Sequence, residues 1–361
     1  MHLRRMRGVM ATIGMKDAEQ ISGFSSAALR DWLDANGIGD GSVENLRVLA
    51  GGTQNVLVRF DRSGASYVLR RGPMSLRAES NRTMMREARL LRALRDTSVP
   101  HPHFVAGSED ASIVGASFYV MKAVEGFNAT VDPSPQMRAD PATRHRMGLS
   151  LVSALGELSR LDPITMGLSD FGKLDGFLER QVGRWAAQLN SYEQYPEWTG
   201  RADLAGVEDI GAWLSGHRPS TFTPGIIHGD YHIGNVIYRD HGEVAAIVDW
   251  EMATLGDPLV DLGRILSTWP DKDGSQPLSM RVEPWKDFPD RDELVERYGN
   301  LTRRDLRDLR WFEILSCYKL AAILEGTYAR AQAGKADVAT GERLHRSAIA
   351  LLSRALRWCE S

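Results

Sequence analysis

"IIHGDYHIGNVIYRDHGEVAAIVDWEMATLGDP", residues 226–258, places acidic side chains, three histidines and an asparagine among short apolar runs. The run VIY, the turn DHGE and the run AAIV indicate a strand, a turn and a second strand after an opening loop. Asp and Asn are common turn residues, so HGD alone would indicate only a turn. Because the five-residue spacing of Asp230 and Asn235 occurs together with both apolar runs, we interpret Asp230, Asn235 and Asp249 as functional residues.

The spacing of these three residues is specific. Asp230 and Asn235 are five positions apart, as in the H-R-D-x-x-x-x-N catalytic loop of protein kinases, and Asp249 follows where those enzymes have a metal-binding Asp. Phosphoryl transfer needs a carboxylate that orients the attacking hydroxyl and accepts its proton, and oxygen ligands that hold Mg²⁺ against the nucleotide phosphates. One loop and the end of the next strand can supply all of these groups.

An alternative interpretation uses the histidines. His228, Asp230 and His232 alternate, so on an extended strand they would share one face and would bind a catalytic metal, as in a metal-dependent hydrolase. Gly229 and the loop composition after Ile227 indicate that the strand has ended, and the other histidines supply no second pair at ligand spacing. We therefore expect His228 to pack and hydrogen-bond the loop, and His232 to do the same or to face the substrate. The hydrolase stays the less favoured hypothesis.

The composition is that of an ordinary globular protein. Of the 361 residues, 43% are hydrophobic and 25% are charged, and 44 basic against 47 acidic residues leave a formal charge of −3. This balance argues against nucleic acid or an anionic membrane as the main partner, so we expect a small-molecule partner. The two cysteines form no CxxC motif and no run of about 18 apolar residues occurs, so we predict a soluble, cytoplasmic protein. Nothing in the sequence predicts an oligomeric state.

Three regions of the chain differ in pattern. Residues 1–24 combine basic residues with a weakly apolar, glycine-interrupted stretch, which we interpret as a flexible leader rather than a targeting signal. Residues 25–122 contain short runs of alternating apolar residues and one amphipathic helix, typical of a small α+β domain with an antiparallel sheet. Residues 123–361 carry apolar stripes at helical spacing, which predict a larger, mainly helical part.

Several segments together resemble a known superfamily. HGDYHIGNVIY, followed by IVDWEMATLGDPLVDLG, is similar to the signature of the aminoglycoside phosphotransferase and choline kinase superfamily. LAGGTQNVLVRF, YVLRRGP, REARLLRAL and FYVMKAVEG most resemble the kinase-like domains associated with acyl-CoA dehydrogenases. The resemblance implies an α+β, bilobal protein-kinase-like fold. Its small antiparallel-sheet N-lobe, residues 25–122, would bind nucleotide, and its larger, mainly helical C-lobe, residues 123–361, would carry the catalytic loop and the acceptor pocket.

The resemblance also implies roles for the residues of the loop. It makes Asp230 the catalytic base and Asn235 and Asp249 the ligands of Mg²⁺. Glu251, two residues after Asp249, would reach the same site or a second metal, or would make a structural hydrogen bond. The scaffold positions in GDPLVDLG are Asp257 and Asp261.

In protein kinases, a strand lysine pairs with a helix glutamate and contacts the nucleotide phosphates. This pairing is altered here. The matching strand position in YVLRR is Arg70, and the helix glutamate in MREARLL is Glu87. Arginine keeps the charge and can grip phosphate with two hydrogen bonds, so loss of activity does not follow. We expect Arg70 to pair with Glu87 or with phosphate. The alternative is that Arg70 and Arg71 are exposed charges at a strand end.

Two further segments complete the predicted nucleotide site. AGGTQN departs from the kinase pattern G-x-G-x-x-G-x-V, but a tight turn with exposed N–H groups can still hold phosphate oxygens; a plain hairpin turn is the competing interpretation. FYVMKAV resembles the segment that joins the lobes, where backbone groups would bind adenine. The residues predicted to bind nucleotide in these segments are Gly52, Thr53, Gln54, Asn55, Met121 and Ala123.

Together these features predict an ATP- and Mg²⁺-dependent small-molecule kinase that moves the γ-phosphoryl group of ATP to a hydroxyl group. The predicted acceptor region mixes arginines, acids and tryptophans, unlike the strongly acidic pockets that bind polycationic aminoglycosides. A hydroxyacyl compound and an aminoglycoside-like antibiotic both stay open as acceptors, because analogy of fold is a weak guide to substrate. A nucleotide-binding regulatory pseudokinase is the alternative of another class, since Arg70 and the glycine segment depart from the kinase pattern.

Overall fold

The computed structural model describes residues 23–49, 55–72, 78–275 and 280–360. Nearly all of the predicted leader, and Gly52, Thr53 and Gln54 of the predicted phosphate-binding turn, lie outside the described residues. Within the described ranges, no helix is both long enough and apolar enough to cross a membrane.

The order of the elements confirms the predicted class, in which an antiparallel sheet is followed by a mainly helical part. The strands are β1 (Glu44–Leu49), β2 (Val56–Arg62), β3 (Ala65–Arg71), β4 (Phe104–Ser108), β5 (Phe118–Lys122), β6 (Gly225–Ile227), β7 (Val236–Tyr238), β8 (Val244–Ile247) and β9 (Thr254–Gly256). The α-helices are α1 (Ser26–Ala35), α2 (Ala78–Ala93), α3 (Ala111–Val114), α4 (Pro135–Ala139), α5 (Pro141–Ser159), α6 (Glu179–Asn190), α7 (Val207–Gly216), α8 (Leu259–Thr268), α9 (Arg291–Thr302), α10 (Leu309–Gln332) and α11 (Val338–Cys359).

The chain divides into two compact units. The first unit comprises the described residues up to Ala139, with Met166–Leu168 and Gly234–Met252. The second unit comprises Asp140–Thr165, Ser169–Ile233 and the described residues from Ala253 onward. The predicted lobe boundary after residue 122 stays a prediction; the first unit extends beyond it by α4 and by β7 and β8.

The first unit is built on a five-stranded antiparallel sheet in the order β1-β2-β3-β5-β4. Strands β2 and β3 form a hairpin that closes at Ser63 and Gly64, whose φ angles of 48° and 73° suit a two-residue turn between twisted strands. Side chains alternate along β3, so Tyr67 and Leu69 enter the hydrophobic core beside α1, whereas Arg70 points to the opposite face.

A second hairpin of the first unit, formed by β7 and β8, positions two of the predicted site residues. Asn235 directly precedes β7, Asp249 follows β8 by two residues, and the N–H of Val248 donates to the carbonyl oxygen of Asn235 at 2.9 Å. Tyr238 exchanges two backbone hydrogen bonds of 2.8 Å with Phe127, which anchors the hairpin. The strand, turn and strand predicted from the sequence are confirmed, and they bring the backbones of the two predicted Mg²⁺ ligands together.

The second unit is mainly helical and contains the small sheet of β6 and β9. Helix α8 is buried along its whole length, and α10 packs against α6, α7, α8 and α11. Glycine allows the close approach of α8 and α10, because a Cβ on Gly263 would lie 2.5 Å from the carbonyl oxygen of Phe312. Apolar packing on α10 therefore fixes the position of α8.

A buried carboxylate connects the C-terminal helices of the second unit. Glu325 on α10 is fully buried; it accepts a hydrogen bond from Trp198 Nε1 at 2.8 Å and lies 2.9 Å from Nδ1 of His345 on α11. The hydrogen bond to Glu325 raises the pKa of His345 against the effect of burial, and Asp203 adds to the rise. When His345 is protonated, it supplies the positive charge that compensates the buried carboxylate of Glu325.

We predict that this contact makes folding stability depend on pH. Because the pKa of His345 in the folded chain lies above its ordinary value of about 6.5, its contribution is present below that value and is lost as pH rises through the raised pKa. His345→Gln should therefore lower the free energy of unfolding by about 1 kcal/mol more at pH 6 than at pH 9, as measured by urea unfolding.

The matched control is His145→Gln. His145 lies 3.0 Å from Glu293, but 44% and 47% of these two side chains are exposed, so the removal of His145 should change the unfolding free energy little at either pH. Equal losses at pH 6 and pH 9 for His345→Gln would contradict the prediction.

Candidate active site

A buried ion pair joins β3 to α2 in the first unit. Nε of Arg70 lies 3.0 Å from Oε2 of Glu87, and Nη2 of Arg70 donates to Oε1 at 3.3 Å. The hydroxyl group of Tyr119 on β5 donates to Oε2 of Glu87 at 3.0 Å. The pairing predicted from the sequence is therefore present. The alternative of exposed strand-end charges is wrong, because Arg70 and Arg71 are both buried.

The same guanidinium group reaches two further carboxylates of the first unit. Nη2 of Arg70 lies 3.0 Å from Oδ1 of Asp249 and 3.4 Å from Oε2 of Glu251. Asn55, at the end of the predicted phosphate-binding turn, donates from Nδ2 to the same Oε2 at 3.0 Å. A planar guanidinium can serve carboxylates along two edges at once, whereas a lysine ammonium is a point charge. This geometry gives a physical reason for arginine at a position where protein kinases have lysine.

The charges of this cluster constrain one another. Burial disfavours the charge of Arg70, but Tyr119 and the nearest carboxylates raise its pKa, so Arg70 stays a cation. Burial raises the pKa of Glu87, and the attraction of Arg70 acts against that rise. The backbone of Asp249 is left-handed, with φ 66°, which is uncommon outside glycine and concentrates at functional sites. Since 43% of the Asp249 side chain is exposed, an ion can reach its carboxylate.

The donor atoms around Asp249 are of the type that Mg²⁺ prefers. Asp249 and Glu251 have carboxylate oxygens and Asn235 has an amide oxygen, all of them hard ligands. In the part of the chain that the structure describes, no group of three or more His, Cys, Asp or Glu residues is arranged to hold a metal ion. Mg²⁺ usually keeps several waters and binds through one or two carboxylates and substrate phosphates, so a sparse donor set fits it. The hydrolase hypothesis, which needs a histidine-rich metal site, finds no support.

In the second unit, charged groups hold the side chain of Asp230. Its Oδ1 accepts a hydrogen bond from Nε of Arg264 on α8 at 2.8 Å, and its Oδ2 lies 3.4 Å from Nε2 of His232. Burial alone would raise the pKa of this carboxyl group, but Arg264, then His232 and Lys319, hold the pKa well below its usual range. Asp230 therefore stays ionised at neutral pH. With 35% of its side chain exposed, it can accept a hydrogen bond from a hydroxyl group.

Hydrogen bonds to the backbone fix the loop that carries Asp230. The buried carboxylate of Asp261 accepts the N–H groups of His228 at 2.6 Å and of Gly229 at 2.9 Å. Nζ of Lys319 donates to the carbonyl oxygen of Gly229. His228 is buried, and its Nδ1 accepts the N–H of Asp230 at 3.3 Å. As expected from the sequence, His228 and Asp261 brace the loop.

Two cations that contact this loop, Arg264 and Lys319, belong to no motif. Arg264 lies within the run LVDLGRILSTW and Lys319 within CYKLAAIL, and both are buried. Arginine and lysine are almost never fully buried unless they are paired. A charged residue inside an otherwise apolar helical stripe is therefore the sequence signal that identifies such positions.

The predicted adenine-binding segment continues the central sheet. Met121 pairs with Val68 on one side and with Phe104 on the other. The N–H of Ala123 donates to the carbonyl oxygen of Ser66 at 3.0 Å. This N–H has a partner within the sheet, and adenine binding by Met121 and Ala123 stays a prediction.

The structure brings part of the predicted site together. In the first unit, Arg70 contacts Glu87 and Asp249, and Asn55 joins the cluster through its bond to Glu251. Asp230 belongs to the second unit, where it contacts Arg264 and His232. Four residues of chain separate it from Asn235 of the first unit.

The chain is similar to known phosphotransferases and to part of larger proteins. A model described as the phosphotransferase enzyme family matches residues 45–312. Acyl-CoA dehydrogenase family member 11 of Gallus gallus is 28% identical over 301 residues, which cover 81% of this chain and 38% of that protein. This chain therefore spans about two fifths of the length of that relative.

Solved structures share the fold. A crystal structure of a candidate aminoglycoside phosphotransferase from Ralstonia eutropha has a TM-score of 0.75 and 25% identity, over 93% of this chain and 98% of that chain. An aminoglycoside phosphotransferase mutant bound to AMP-PNP and hygromycin B has a TM-score of 0.57 and 14% identity, over 91% of this chain and 98% of that chain. These similarities confirm the kinase-like fold; at 14% identity the likeness says nothing about substrate.

We predict strong coupling between Arg70 and Glu87. Arg70→Met should lower the free energy of unfolding by about 3–5 kcal/mol, because it leaves the Glu87 carboxylate buried without its cation. The double variant Arg70→Met/Glu87→Met should be more stable than Arg70→Met, since it removes the unpaired charge as well. Urea unfolding of the four proteins of this double-mutant cycle measures the coupling.

Arg59→Met is the matched control for this cycle. Arg59 on β2 pairs with Glu125 at 2.6 Å, but Glu125 is 66% exposed, so the variant should lose only about 1 kcal/mol or less. If Arg70→Met loses no more unfolding free energy than Arg59→Met, or if the coupling energy is zero, the buried pair does not stabilise the fold.

Proposed function

We propose that this chain, which belongs to the phosphotransferase enzyme family, transfers the γ-phosphoryl group of ATP to a hydroxyl group of a small molecule. The observation that supports the proposal most directly is the contact of Arg70 with both Glu87 and Asp249. In protein kinases, the strand cation paired with the helix glutamate and the metal-binding Asp must both be in place for transfer.

Asp230 would orient the acceptor. Its ionised carboxylate, held at Oδ1 by Arg264, accepts a hydrogen bond from the hydroxyl group and takes its proton as the oxygen attacks the γ-phosphorus. Because its pKa is held low, Asp230 is a weak base, which suits orientation first and proton acceptance late in the transfer. Positioning and charge neutralisation then supply most of the catalysis.

We assign Mg²⁺ to Asn235 and Asp249, with Glu251 as a further oxygen donor. When bound, Mg²⁺ supplies positive charge that neutralises the nucleotide phosphates. Arg70 adds a fixed positive charge 3.0 Å from Oδ1 of Asp249. Asn55 bonds to Glu251 and so joins the end of the predicted phosphate-binding turn to the same acidic cluster.

Charges near Asp230 bear on the class of acceptor. In the second unit, Nζ of Lys319 lies 5.3 Å from a ring centre of Trp185, and the guanidinium carbon of Arg184 lies 4.8 Å from a ring centre of the same side chain. Arg264 and Lys319 compensate Asp230 and Asp261, so the cation that disfavours a polycationic aminoglycoside and favours an acceptor with a carbonyl or carboxylate group is Arg184. We therefore propose a hydroxyacyl compound as acceptor, in keeping with the acyl-CoA dehydrogenase relative. An aminoglycoside-like antibiotic is the second candidate, supported by the similarity of fold.

Asp230→Asn should lower the rate of phosphoryl transfer by about 10²–10⁴-fold, because the carboxylate orients the acceptor and takes its proton. Nucleotide affinity should change little. The assay combines Mg²⁺ and ATP or GTP with hydroxyacyl-CoA thioesters, hydroxy acids, amino alcohols, aminoglycosides and macrolides, and detects phosphorylated products by mass spectrometry.

The control for this assay is Asp240→Asn, which changes an exposed aspartate in the turn between β7 and β8 and should leave transfer unaffected. Near-normal transfer by Asp230→Asn would exclude its assigned role. Nucleotide binding by the wild type without transfer to any acceptor would favour the pseudokinase.

Asp249→Asn should weaken the binding of Mn²⁺, used in place of Mg²⁺, by roughly tenfold or more in the presence of a non-hydrolysable ATP analogue, because an amide replaces a carboxylate ligand. Electron paramagnetic resonance measures the free Mn²⁺. Asp240→Asn again serves as the control. Unchanged Mn²⁺ affinity in Asp249→Asn would remove this residue from the metal site.

A further inference from the structure

We propose that Arg264 and Lys319 form a two-cation clamp that positions Asp230, Arg264 through the carboxylate and Lys319 through the peptide group that precedes it. The inference rests on the proposed function, because it takes Asp230 as the group that orients the acceptor. Arg264 and Lys319 act through Asp230 and its loop, so both are positioning residues.

Arg264 holds the side chain of Asp230. Its Nε donates to Oδ1 at 2.8 Å, and its Nη1 donates to Oγ1 of Thr268, one turn further along α8, at 3.3 Å. Arg264 and Thr268 are both buried, so the guanidinium group is held at two points. A planar guanidinium held in this way fixes the direction of a carboxylate, which a mobile cation would not do.

Lys319 holds the backbone of the same loop. Its Nζ donates to the carbonyl oxygen of Gly229, and the N–H of Gly229 donates to Oδ1 of Asp261 at 2.9 Å. The φ of Gly229 is 86°, a left-handed conformation that glycine adopts without steric cost. The N–H of Asp230 donates to Nδ1 of His228 at 3.3 Å, so the peptide group between Gly229 and Asp230 is held at both its C=O and its N–H.

The two cations stand on helices that pack closely against each other. Gly263 directly precedes Arg264, and a Cβ on Gly263 would lie 2.5 Å from the carbonyl oxygen of Phe312 on α10, the helix that carries Lys319. Both cations are buried, so the clamp differs from a surface ion pair, whose side chains are mobile and whose contribution is small.

The clamp also compensates negative charge around Asp230. Burial favours the neutral carboxylic acid at Asp230, and the fully buried carboxylate of Asp261 nearby adds a second negative charge to be compensated. Arg264 and Lys319 supply the compensating charges. Without Arg264, Asp230 would take up a proton at a higher pH and would lose the contact that fixes its direction.

The test reads the carboxyl group of Asp230 directly. In protein labelled with ¹³C at the aspartate carboxyl carbons, the Asp230 signal is the one missing from Asp230→Asn, and its titration gives a midpoint. Arg264→Met should raise this midpoint by about one pH unit or more, and Arg264→Lys by less. An unchanged midpoint in Arg264→Met would overturn the proposal. Among the described residues, the charged and titratable groups that act on the Asp230 carboxyl group include Arg264 from α8, Lys319 from α10 and His232 from the loop, and Asp261 and His228 bind the backbone of the same loop.

Arg354→Met is the matched control. Arg354 is as deeply buried in the second unit but donates to the carbonyl oxygens of Ser267 and Trp269, so its loss should lower stability without moving the Asp230 midpoint. If circular dichroism shows that Arg264→Met does not fold, Arg264→Gln and Arg264→Lys carry the comparison. The neutral glutamine must then give the higher midpoint, and equal midpoints would overturn the proposal.

Transfer kinetics separate this inference from the proposed function. With an acceptor from the screen, Arg264→Met and Lys319→Met should lower kcat by about 10- to 100-fold with the KM for ATP nearly unchanged. Arg264→Met should also move the acid limb of the pH profile of kcat upward. If Asp230→Asn loses transfer but both clamp variants keep a normal kcat, the clamp proposal fails and the proposed function stands. If Arg264→Met raises the Asp230 midpoint but the wild type transfers phosphate to no acceptor, the proposed function fails and the effect of Arg264 on Asp230 stands.

Discussion

The neutralisation of buried and partly buried carboxylates by buried cations is the constraint on which this structure depends. An ion pair that loses one partner inside a protein leaves a charge whose burial costs several kcal/mol, so each carboxylate must keep its cation. In the first unit Arg70 serves Glu87 and Asp249, and in the second Arg264 serves Asp230. Each cation comes from a strand or helix whose position is set by apolar packing, so the hydrophobic core determines where a carboxylate can stay charged.

The same constraint connects the fold to the proposed chemistry. Phosphoryl transfer requires ionised carboxylates at the attacking hydroxyl and at the metal, whereas burial drives carboxylates toward their neutral forms. Arginine suits this task because it stays protonated under all ordinary conditions and binds along more than one edge. At Arg70 this property lets one side chain serve the helix carboxylate and the acidic residues after β8 together.

Local patterns in the chain are sufficient to predict the antiparallel sheet, the helical part that follows it and the hairpin of β7 and β8. Turn residues and apolar periodicity act over a few residues, and the HGD-x-x-x-x-N spacing lies within one short loop. The partners of the cations follow from no local pattern. Arg70 and Asp249 are 179 positions apart, Lys319 and Gly229 are 90 apart, and Arg264 and Asp230 are 34 apart.

The loop spacing is enough to select Asp230, Asn235 and Asp249 as candidates, because this pattern is short-range. Apart from the pair of Arg70 and Glu87, which the resemblance to kinases implies, the tertiary structure decided which cation compensates which carboxylate. Electrostatic partners meet only where apolar packing brings distant segments together, as when α8 and α10 close on the Asp230 loop.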